Sequence, residues 1–424
     1  MNGGVRKRGT TWSYYFDLGK VDGKRKKKEK GGFRTKKEAE AALAAAINEY
    51  NNAGQVFEPS EITVSDYLDQ WFDLHCKMNL KYNTQVGYLR IIEGHIKPKF
   101  GSYKLKAINP TVLQEYANNL KLNGYSKSHI VGILTVFQSA LDYAIEPLHY
   151  ISQNPMKSVK FPKVERKPRE RIILTLDEWN MIIDRFRDTR YYIPLMIGFY
   201  TGLRISEAFA LTWDDIDFEN RTLSVNKQIV KRNFGADVRK VVEQQGKREQ
   251  RSSWYFTTPK TPASARTVPF GDTLYNALKQ EKTTQMRNEM KYGEYYTVHV
   301  LKKEIDEKGN DMWRVVPVQK CVDSKLQRVR MVCVAENGQY TSTDSFKFCS
   351  RVIHQELQLA FDYHSLRHTH ATLLIESGAN VKNVQIRLGH TNIKTTLQTY
   401  VHDTEKMGQQ SVDLFEKITS VKTS

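Results

Sequence analysis

The sequence predicts a multidomain α+β fold: a small N-terminal module of β-strands and one helix, an all-α bundle, and a mainly α-helical C-terminal domain with a small β-sheet. The chain has 424 residues, more than one hydrophobic core usually serves. With 40% hydrophobic and 26% charged residues, it has the composition of a folded protein. Polar stretches at residues 51–61 and 156–172 read as linkers. We therefore predict domains at residues 1–55, 62–158 and 170–424.

The first segment is strongly basic. Residues 1–37 hold thirteen Lys and Arg against three Asp and Glu, which is +10 of the chain's net +18. Here "TWSYYFDLGK" and "KRKKKEKGGF" predict two strands joined by the turn "VDG". The lysines then line an exposed hairpin of a size that fits a DNA major groove. A merely solvated hairpin or a disordered arm is the alternative. The candidate DNA-binding residues are Lys24, Arg25, Lys26, Lys27, Lys28 and Lys30.

An alanine-rich helix is predicted after these strands, because Thr35 and Glu38 fit a capping box at the start of "RTKKEAEAALAAAINEY". The aromatic residues Trp12, Tyr14 and Phe16 alternate along the first strand, so they share one face of the sheet. We expect that face to pack on the helix.

The second segment shows four helical patterns with short joints, the first of them capped by Thr63, and predicts a compact all-α bundle. Lys81 and Lys127 lie near predicted helix starts, where side chains and backbone N–H groups can meet phosphates together. Ordinary solvated surface explains each lysine equally well.

In the third segment, a helical pattern breaks at Gly202 within "TGLR", and Arg204 follows the break. Glycine permits a tight turn there, so the arginine would project from a fixed backbone. Further on, "SSWYFTTPKTPASARTVPF" predicts a strand, a turn that holds Lys260, and a second strand that ends at Pro269.

Three histidines stand close together in "YHSLRHTHATLL". His364 and His368 are four residues apart, the spacing at which a helix brings two zinc ligands to one face, and His370 is the third. No acidic residue or cysteine nearby completes a metal site, so core packing or a phosphate contact competes with the zinc interpretation. We predict no metal and no other cofactor.

The sequence supports neither a protein stabilised by disulfides or zinc–cysteine sites nor a membrane or secreted protein. The four cysteines lack a disulfide or zinc spacing and fit packing residues in a reducing cytoplasm. No apolar run approaches the roughly 20 residues of a membrane span, and the N-terminus lacks the apolar centre of a signal peptide. We expect a soluble cytoplasmic protein without a membrane partner. The cysteines are Cys76, Cys321, Cys333 and Cys349.

Four motifs occur in one order: "TGLRISEAFALTW", "PKTPASARTVPF", "YHSLRHTHATLLIESG" and "RLGHTNIKTTLQTYVH". Together they resemble the signatures of the tyrosine recombinases, the phage-integrase family. The resemblance covers residues 172–415 as a catalytic domain, and residues 62–158 are similar to the family's helical core-binding domain. Residues 3–52 resemble the three-stranded arm-binding module of integrases from phages and conjugative transposons.

The resemblance implies roles for individual residues. Tyr400 is the expected nucleophile, which forms a 3′-phosphotyrosyl bond and leaves a free 5′-hydroxyl. Arg204 and Arg367 match two arginines that stabilise the transition state, where guanidinium groups meet phosphoryl oxygens bidentately. His364 and His390 match positions that hydrogen-bond the phosphate and help to move the tyrosine proton.

Two further positions follow from the same resemblance. Lys260 matches the lysine that protonates the leaving 5′-oxygen, although Lys247 and Arg266 lie on either side of it and compete for that assignment. Glu207, three residues after Arg204 and on the same helical face, matches a supporting acidic position. No metal or nucleotide is implied, because the phosphotyrosyl bond conserves the energy for religation.

Two parts of the third segment depart from the family pattern. The segment around residues 283–335 contains extra β-like stretches, of which the earlier part reads as an insertion and the later part resembles the family's usual strand and turn. A surface hairpin, a DNA contact and a protomer contact are all open for the insertion. In addition, "KRNFGADVRKVVEQQGKREQRSSWYF" lengthens the region before Lys260 as a polar hairpin or a partly disordered loop. After Tyr400, a helical pattern continues in a tail that packs on its own domain or on a neighbouring protomer.

The expected function is therefore that of a bacterial site-specific DNA integrase, cytoplasmic and associated with the nucleoid when bound to DNA. It would integrate and excise a prophage or integrative element. Expected partners are double-stranded core and arm sites, three further copies in a homotetrameric synapse, an excisionase and a DNA-bending host protein. Alternatives are a recombinase for resolution or inversion, a type IB topoisomerase, a plain DNA-binding regulator and a zinc protein.

Overall fold

The computed structural model divides the chain into two compact units, Met1–Arg166 and Lys167–Ser424. The further division of the first unit near residue 55 stays a prediction. Only the backbone is described at residues 17–21, 24–27, 48–53, 395 and 398–400. The structure describes residues 3–21, 24–53, 62–163, 171–233, 238–240, 252–259, 264–306 and 308–400.

The N-terminal module is a three-stranded antiparallel sheet, with strand order β1-β2-β3, and one helix. Tyr14 and Phe16 are buried against the helix residue Ala46, as predicted, while Trp12 is half-buried. The capping box is also confirmed, because the Glu38 N–H donates to Thr35 Oγ1 at 3.2 Å and the Thr35 N–H donates to Glu38 Oε2 at 3.4 Å. The elements are β1 (Gly3–Arg8), β2 (Thr11–Val21), β3 (Lys24–Phe33) and α1 (Lys36–Ala53).

The predicted four-helix pattern of the second segment is confirmed. The first two helices each contain one π-helical turn, at Phe72–Cys76 and Ile92–Ile96, and continue beyond it. Thr63 begins the first helix by accepting the Asp66 N–H at 3.1 Å. The α-helical segments are α2 (Val64–Trp71), α3 (Lys77–Asn79), α4 (Tyr82–Ile91), α5 (Lys97–Phe100), α6 (Pro110–Leu122) and α7 (Lys127–Ile145).

Helix α7 is the core of this bundle. By length and composition it is the one described helix that could cross a membrane, but eight of its residues, including Ile133 and Phe137, are buried inside the bundle. A mostly buried core helix meets the same criterion, so this observation is weak evidence for a membrane span.

The linker predicted at residues 156–172 begins too early. Pro155–Ser158 forms a 3₁₀ turn, and Met156 and Val159 are buried in the bundle. The Lys160 backbone exchanges two hydrogen bonds with the Gln114 side chain. The apolar residues of this stretch lack a helical period because they pack as a turn, and residues 164–170 lie outside the described part.

In the second unit, helices surround one hydrophobic core, in which the rings of Trp179 and Phe199 stack with centroids 3.9 Å apart. Its helices are α8 (Leu176–Phe186), α9 (Tyr192–Thr201), α10 (Ile205–Ala208), α11 (Asp272–Tyr292), α12 (Phe346–Glu356), α13 (Tyr363–Glu376), α14 (Val381–Leu388) and α15 (Ile393–Tyr400). Its strands are β4 (Ile216–Asp217), β5 (Thr222–Val225), β6 (Gln228–Asn233), β7 (Ser252–Thr257), β8 (Arg266–Pro269), β9 (Thr297–Ile305), β10 (Asp311–Gln319) and β11 (Gln327–Val329).

The two strands predicted on either side of Lys260 do not form a hairpin with each other. Strand β8 pairs antiparallel with β5, so that Arg266 faces Val225, whereas β7 pairs with β6 and β10 in another sheet. The chain between Val225 and Arg266 therefore leaves one sheet, adds two strands to a second sheet and returns. Lys260 itself lies outside the described residues, so its predicted turn stays a prediction.

Both departures from the family pattern contribute to one five-stranded antiparallel sheet, with strand order β11-β9-β10-β7-β6. The region before Lys260 supplies β6 and β7, and the predicted insertion supplies the other three strands. The first ten residues of the segment predicted as an insertion are the end of α11, which continues to Tyr292, and the strands follow it. Ile229, Phe256 and Val315 pack this sheet on the core of the unit.

Three of the four predicted packing cysteines, Cys76, Cys333 and Cys349, are buried, and Cys321 is exposed. All four are free thiols.

Candidate active site

The "TGLR" motif forms the end of one helix and the start of the next. Helix α9 ends at Gly202, which adopts the left-handed conformation with φ +66°. A Cβ atom there would lie only 2.9 Å from His370 Cδ2 and from Leu388 Cδ2, so glycine is required for space as well as for its backbone angle. Arg204 then begins α10 in an extended conformation. The sequence prediction of a fixed backbone before this arginine is confirmed.

Arg204 and Arg266 share one buried carboxylate, that of Glu207. Arg204 Nη1 donates to Glu207 Oε1 at 2.8 Å, and Arg266 Nη2 donates to Oε2 at 3.0 Å. Burial opposes the charge on Glu207, but the two guanidinium groups outweigh it and lower the pKa of this carboxyl. Glu207 therefore stays ionised and fixes both arginines.

Arg367 is almost completely buried, with 1% of its surface exposed. It lies on α13, which begins where the Asp362 carboxylate accepts the Ser365 N–H at 2.8 Å. Arg367 Nη1 donates to the Gly202 carbonyl at 2.8 Å, and Nη2 donates to the Leu388 carbonyl at 2.7 Å. The "TGLR" and "LGH" motifs are thus joined through this one side chain.

His390 follows Gly389, which ends α14 in the left-handed conformation with φ +66°, as Gly202 ends α9. Its Nε2 lies 2.8 Å from Arg367 Nη2, and its Nδ1 lies 2.9 Å from Thr396 Oγ1. Because a guanidinium can only donate, Nε2 accepts and the ring proton lies on Nδ1, directed at Thr396. Burial and the positive charge of Arg367 lower the pKa of His390 to about 3, which keeps the ring neutral.

His364 lies one helical turn before Arg367 and is exposed. Partial burial of the ring, followed by the charge of Arg367, lowers the pKa of His364. Its ring meets that of His368 edge to face, with centroids 4.7 Å apart. His364 is therefore a neutral, accessible imidazole on the same helix as a buried arginine.

The carbonyl groups that hold these arginines come from two helix ends. Gly202 follows the end of α9, whereas Leu388 and Gly389 lie at the end of α14, where the Gly389 carbonyl accepts Arg204 Nη2 at 3.4 Å. A helix C-terminus carries partial negative charge, so it stabilises a nearby guanidinium without neutralising it. Glu207 is shared by Arg204 and Arg266, so these two guanidinium groups together carry one positive charge more than the carboxylate between them.

Tyr400 is the last residue of α15, and the structure describes only its backbone. Thr396, one turn earlier on the same helix, is fully buried and contacts the His390 ring. Residues four apart on a helix lie on the same face. The face of α15 that contacts His390 through Thr396 is therefore also the face on which the backbone position of Tyr400 lies.

Three contributors were missed by the sequence prediction. Arg266 was considered only as a rival of Lys260, yet its side chain is only 5% exposed and is bonded to Glu207, to the Ser264 carbonyl and to the Arg387 carbonyl. Arg387 and His370 bond each other next to the site. The presence of arginines inside apolar motifs, "SARTVPF" and "QIRLGH", was the signal available.

The zinc interpretation does not fit the positions of the histidines. Both ring nitrogens of His370 are engaged, Nδ1 with the Phe199 carbonyl at 2.8 Å and Nε2 with Arg387 Nε at 2.9 Å. In the part of the chain that the structure describes, no group of three or more His, Cys, Asp or Glu residues could hold a metal ion.

The candidate DNA-binding lysines are placed unequally. Lys81 and Lys127 are exposed at the starts of α4 and α7. Lys28 and Lys30 pair in register with Phe16 and Tyr14, so their side chains start from the helix-covered face of the sheet. Lys30 is exposed, as predicted, and Lys28 is half-buried; whether either of them binds DNA stays a prediction. For the others, only the backbone is described: Lys24, Arg25, Lys26 and Lys27.

The opposite face of that sheet carries a different basic group, which the sequence prediction did not select. Arg6 donates to Glu29 through Nε at 3.2 Å and through Nη2 at 2.5 Å, and Arg8 Nη2 reaches the same carboxylate at 3.2 Å. The Arg6 guanidinium also lies over the Tyr15 ring, 5.3 Å from its centroid. Two arginines are thus held in place on the face that α1 leaves uncovered.

Comparison with known proteins places the chain among DNA-recombining enzymes. Residues 173–407 match the phage integrase family, residues 5–50 match the arm DNA-binding domain, and residues 63–121 match the N-terminal SAM-like domain of phage integrases. The chain is 27% identical to a XerC-like tyrosine recombinase of Caldanaerobacter subterraneus, over 90% of this chain and 89% of that protein. It is 24% identical to the integrase of Staphylococcus phage L54a, over 89% of this chain and 99% of that protein.

Solved structures show the same fold. The Tn1549 transposon integrase in complex with a circular intermediate DNA aligns with TM-score 0.60 and 22% identity, over 84% of this chain and 99% of that one. A lambda integrase tetramer bound to a Holliday junction aligns with TM-score 0.51 and 16% identity, over 95% and 96% of the two chains. The predicted fold class is confirmed.

Proposed function

The chain belongs to the phage integrase family of tyrosine recombinases, enzymes that cut and rejoin DNA, and we propose that Tyr400 is its nucleophile and that Arg204, Arg367, His364 and His390 bind the scissile phosphate. The observation that supports this most strongly is the meeting of the two arginines at one backbone segment. Arg367 contacts Leu388 and His390, and Arg204 contacts Gly389 between them. A phosphate at this segment would meet two guanidinium groups and an imidazole.

In the proposed reaction, Tyr400 Oη attacks the phosphorus, a new P–O bond forms, and the bond to the 5′-oxygen breaks. Arg204 and Arg367 stabilise the charge on the non-bridging oxygens. Lys260 gives its proton to the departing 5′-oxygen, and a neutral imidazole accepts the phenolic proton. A 5′-hydroxyl from the partner strand then attacks the phosphorus and gives its proton to the neutral Lys260 amine, while the bond to Tyr400 Oη breaks and the imidazolium returns its proton to that oxygen. Charge, electrons and bonds balance without a metal or a nucleotide.

Glu207 supports this reaction from within the protein. Because it is 3% exposed and bonded to both Arg204 and Arg266, it fixes the first guanidinium relative to the second without approaching DNA. Replacing Glu207 by Gln would keep its shape but remove the charge that balances the two arginines.

We further propose that two classes of DNA site are bound. The N-terminal module would hold arm sites, and the helical bundle with the catalytic unit would hold the crossover core. Relatives of this chain are integrases of a phage and of the integrative element ICEBs1 of Bacillus subtilis, which favours a prophage or an integrative element as the substrate. Four protomers would act in one synapse, as in the lambda integrase tetramer. An excisionase and a DNA-bending protein would set its direction.

The test is covalent capture. Full-length protein is incubated with a nicked core-site duplex from the ends of its own element, so that cleavage releases a short strand and traps the phosphotyrosyl adduct. We expect an adduct that survives denaturation, persists in chelator and disappears in Tyr400→Phe. The matched control is Tyr295→Phe, since Tyr295 is 77% exposed on the same unit. Failure of the wild-type protein to form any adduct on these ends would falsify the proposal.

A further inference from the structure

Arg387 contacts three elements, and it directly precedes the segment Leu388–His390 at which Arg204 and Arg367 meet. Its Nε donates to His370 Nε2 at 2.9 Å on α13, its Nη1 donates to the Pro269 carbonyl at 2.9 Å on β8, and its Nη2 donates to the Tyr200 carbonyl at 3.0 Å on α9. Its own carbonyl accepts Arg266 Nε at 2.6 Å. All three nitrogens of the side chain are therefore used inside the protein.

Its partner His370 is held in one tautomer. Because the guanidinium of Arg387 donates to Nε2, the ring proton lies on Nδ1 and is donated to the Phe199 carbonyl at 2.8 Å. The ring also lies against Gly202, where an added Cβ atom would come within 2.9 Å of it. Burial and the neighbouring Arg387 charge lower the pKa of His370 to about 4, in agreement with a neutral acceptor.

The hydrogen bonds of Arg387 go to two backbone carbonyls and an imidazole, and none of these acceptors carries a charge. Arg387 is half-buried, and its partial burial lowers its pKa. With no carboxylate among its described hydrogen-bond partners, the guanidinium is held by directed hydrogen bonds to three separate elements, an arrangement that fixes their relative positions.

The positions that Arg387 can fix are those of the next three residues in the chain, Leu388, Gly389 and His390. The carbonyls of Leu388 and Gly389 and the ring of His390 are the points at which Arg367 and Arg204 meet α14 and its end. Arg387 fixes the backbone that carries these points relative to α9, which carries the "TGLR" turn. A shift of α14 against α9 would therefore separate both phosphate-binding arginines from His390.

We propose that Arg387 and His370 are a positioning pair: they touch no DNA, and they set the distance between the phosphate-binding groups of the two motifs. The inference rests on the proposed function of Arg367 and His390. If the pair is lost, the charge of the transition state should be stabilised less well, and cleavage should therefore slow. Misplacement by about 1 Å can cost on the order of 10²-fold in rate.

The test compares Arg387→Lys, His370→Phe and His370→Gln in the full-length protein. The lysine variant keeps the charge but cannot bond three elements at once. The phenylalanine variant removes the acceptor for Arg387, whereas a glutamine amide oxygen can replace it. The matched control is Arg185→Lys, because Arg185 is an exposed arginine on α8 that pairs with Glu356. Each protein is measured for core-site affinity, for melting temperature and for the single-turnover rate of adduct formation.

A second substrate separates positioning from general loss of structure. It carries a methylphosphonate at the scissile position, so that one charged oxygen is replaced by a methyl group and less charge needs stabilisation. We expect Arg387→Lys and His370→Phe to cleave the ordinary substrate at least about 10-fold more slowly than wild type, with DNA affinity within about twofold. On methylphosphonate this deficit should shrink to less than about threefold. His370→Gln should restore most of the rate.

The possible results distinguish failure of the proposed function from failure of the positioning role. If wild type forms no adduct, the proposed function fails, and this inference falls with it. If wild type cleaves and both variants match it, the positioning role alone is overturned. Equal deficits of the variants on both substrates, or a deficit only in DNA affinity, would also overturn it, since they would show a structural role. Where Arg387→Lys does not fold, the comparison of His370→Phe with His370→Gln decides.

Discussion

Arg367 and His390 contact each other directly, with Nη2 of the arginine 2.8 Å from Nε2 of the histidine. In this arrangement the histidine accepts and its proton is directed at Thr396. An ionised phosphate oxygen is a stronger acceptor than a ring nitrogen, so an entering phosphate would take over the arginine's donor. Under the proposed function, this contact is the arrangement of the pair before a phosphate enters.

Replacement of Arg367 should separate catalysis from folding. We expect Arg367→Ala to lower the single-turnover rate of adduct formation on the order of 10²-fold or more, because a preorganised charged donor is lost. The variant should also lose about 1–3 kcal/mol of unfolding free energy, since the buried carbonyls of Gly202 and Leu388 lose their donor. Urea unfolding measures the second quantity. Arg185→Ala, an exposed arginine, should change neither, and a fully active Arg367→Ala would contradict the assignment.

Gly202 offers a test of the close contact between two motifs. In Gly202→Ala, the left-handed backbone costs about 1–2 kcal/mol, and the new Cβ atom must also displace His370 or Leu388, each 2.9 Å away. The control is Gly378→Ala, which has φ +83° and no atom within 4 Å of the added Cβ. We expect both variants to be less stable and only Gly202→Ala to cleave DNA slowly. Similar cleavage by both variants would show that displacement of His370 and Leu388 is harmless.

Much of this site could be predicted from the sequence because its residues lie in contiguous motifs at helix ends. "TGLR" places a glycine at the end of α9, so the local rules of helix termination predict a turn before Arg204. Arg367 and His390 came from the resemblance of "YHSLRH" and "RLGH" to the family motifs, and the second motif also proves to be a helix end, with Gly389 after α14. For these residues, local sequence and tertiary structure agree.

Arg266 and Arg387 were missed because their role depends on long-range pairing. Arg266 faces Val225 across a strand pair whose two members are 41 positions apart, with two strands of another sheet between them. That excursion also explains why the two strands on either side of Lys260 pair with other strands and not with each other. Local patterns give the strands but not their partners, since register depends on packing that is distant in the chain.

Lys260 can be distinguished from other lysines by the chemistry of the leaving group. A 5′-bridging phosphorothiolate releases a thiolate that needs no proton, so it removes the need for a general acid. We expect Lys260→Ala to cleave ordinary DNA at least about 10²-fold more slowly and the phosphorothiolate at close to the wild-type rate. The matched control is Lys227→Ala, because the Lys227 ammonium is bound to Asp215 at 2.6 Å within the protein. If Lys260→Ala is equally slow on both substrates, another residue is the acid.

His299 should make stability depend on pH. It is 3% exposed, and burial lowers the pKa of His299 to about 4. The unfolded chain, with a histidine pKa of about 6.5, binds a proton in the window between these values while the folded chain does not. Its contribution is therefore complete above pH about 6.5 and declines as the pH falls towards about 4, by up to about 1.4 kcal/mol per pH unit.

Urea unfolding of wild type and His299→Gln between pH 8 and pH 5 measures this effect. The glutamine variant should show the shallower loss of unfolding free energy below pH about 6.5. His354→Gln removes an exposed histidine, which is solvated in the folded and the unfolded chain alike, and should retain the wild-type slope. Parallel slopes for wild type and His299→Gln would show that this imidazole titrates equally in both states.

The uncovered face of the N-terminal sheet predicts which residues read arm DNA. Arg6 and Arg8 are 47% and 61% exposed, and Glu29 holds both in position, so their guanidinium groups are preorganised to donate to guanine or phosphate. In the full-length protein, Arg6→Ala should weaken arm-site binding and reduce the slope of log affinity against log salt by about 1 if Arg6 meets a phosphate. Lys36→Ala is the matched control, because Lys36 pairs with Glu40 on the helix.

Glu29→Gln separates preorganisation from charge in the same binding experiment. The substitution removes one negative charge, so the net charge of this face rises by one and non-specific binding at low salt should increase. Preference for the arm site over unrelated DNA should nevertheless fall, because Arg6 and Arg8 lose the carboxylate that fixes their direction. Competition titrations with unrelated duplex measure that preference. An unchanged preference in both Arg6→Ala and Glu29→Gln would assign arm recognition to the lysines of β3 instead.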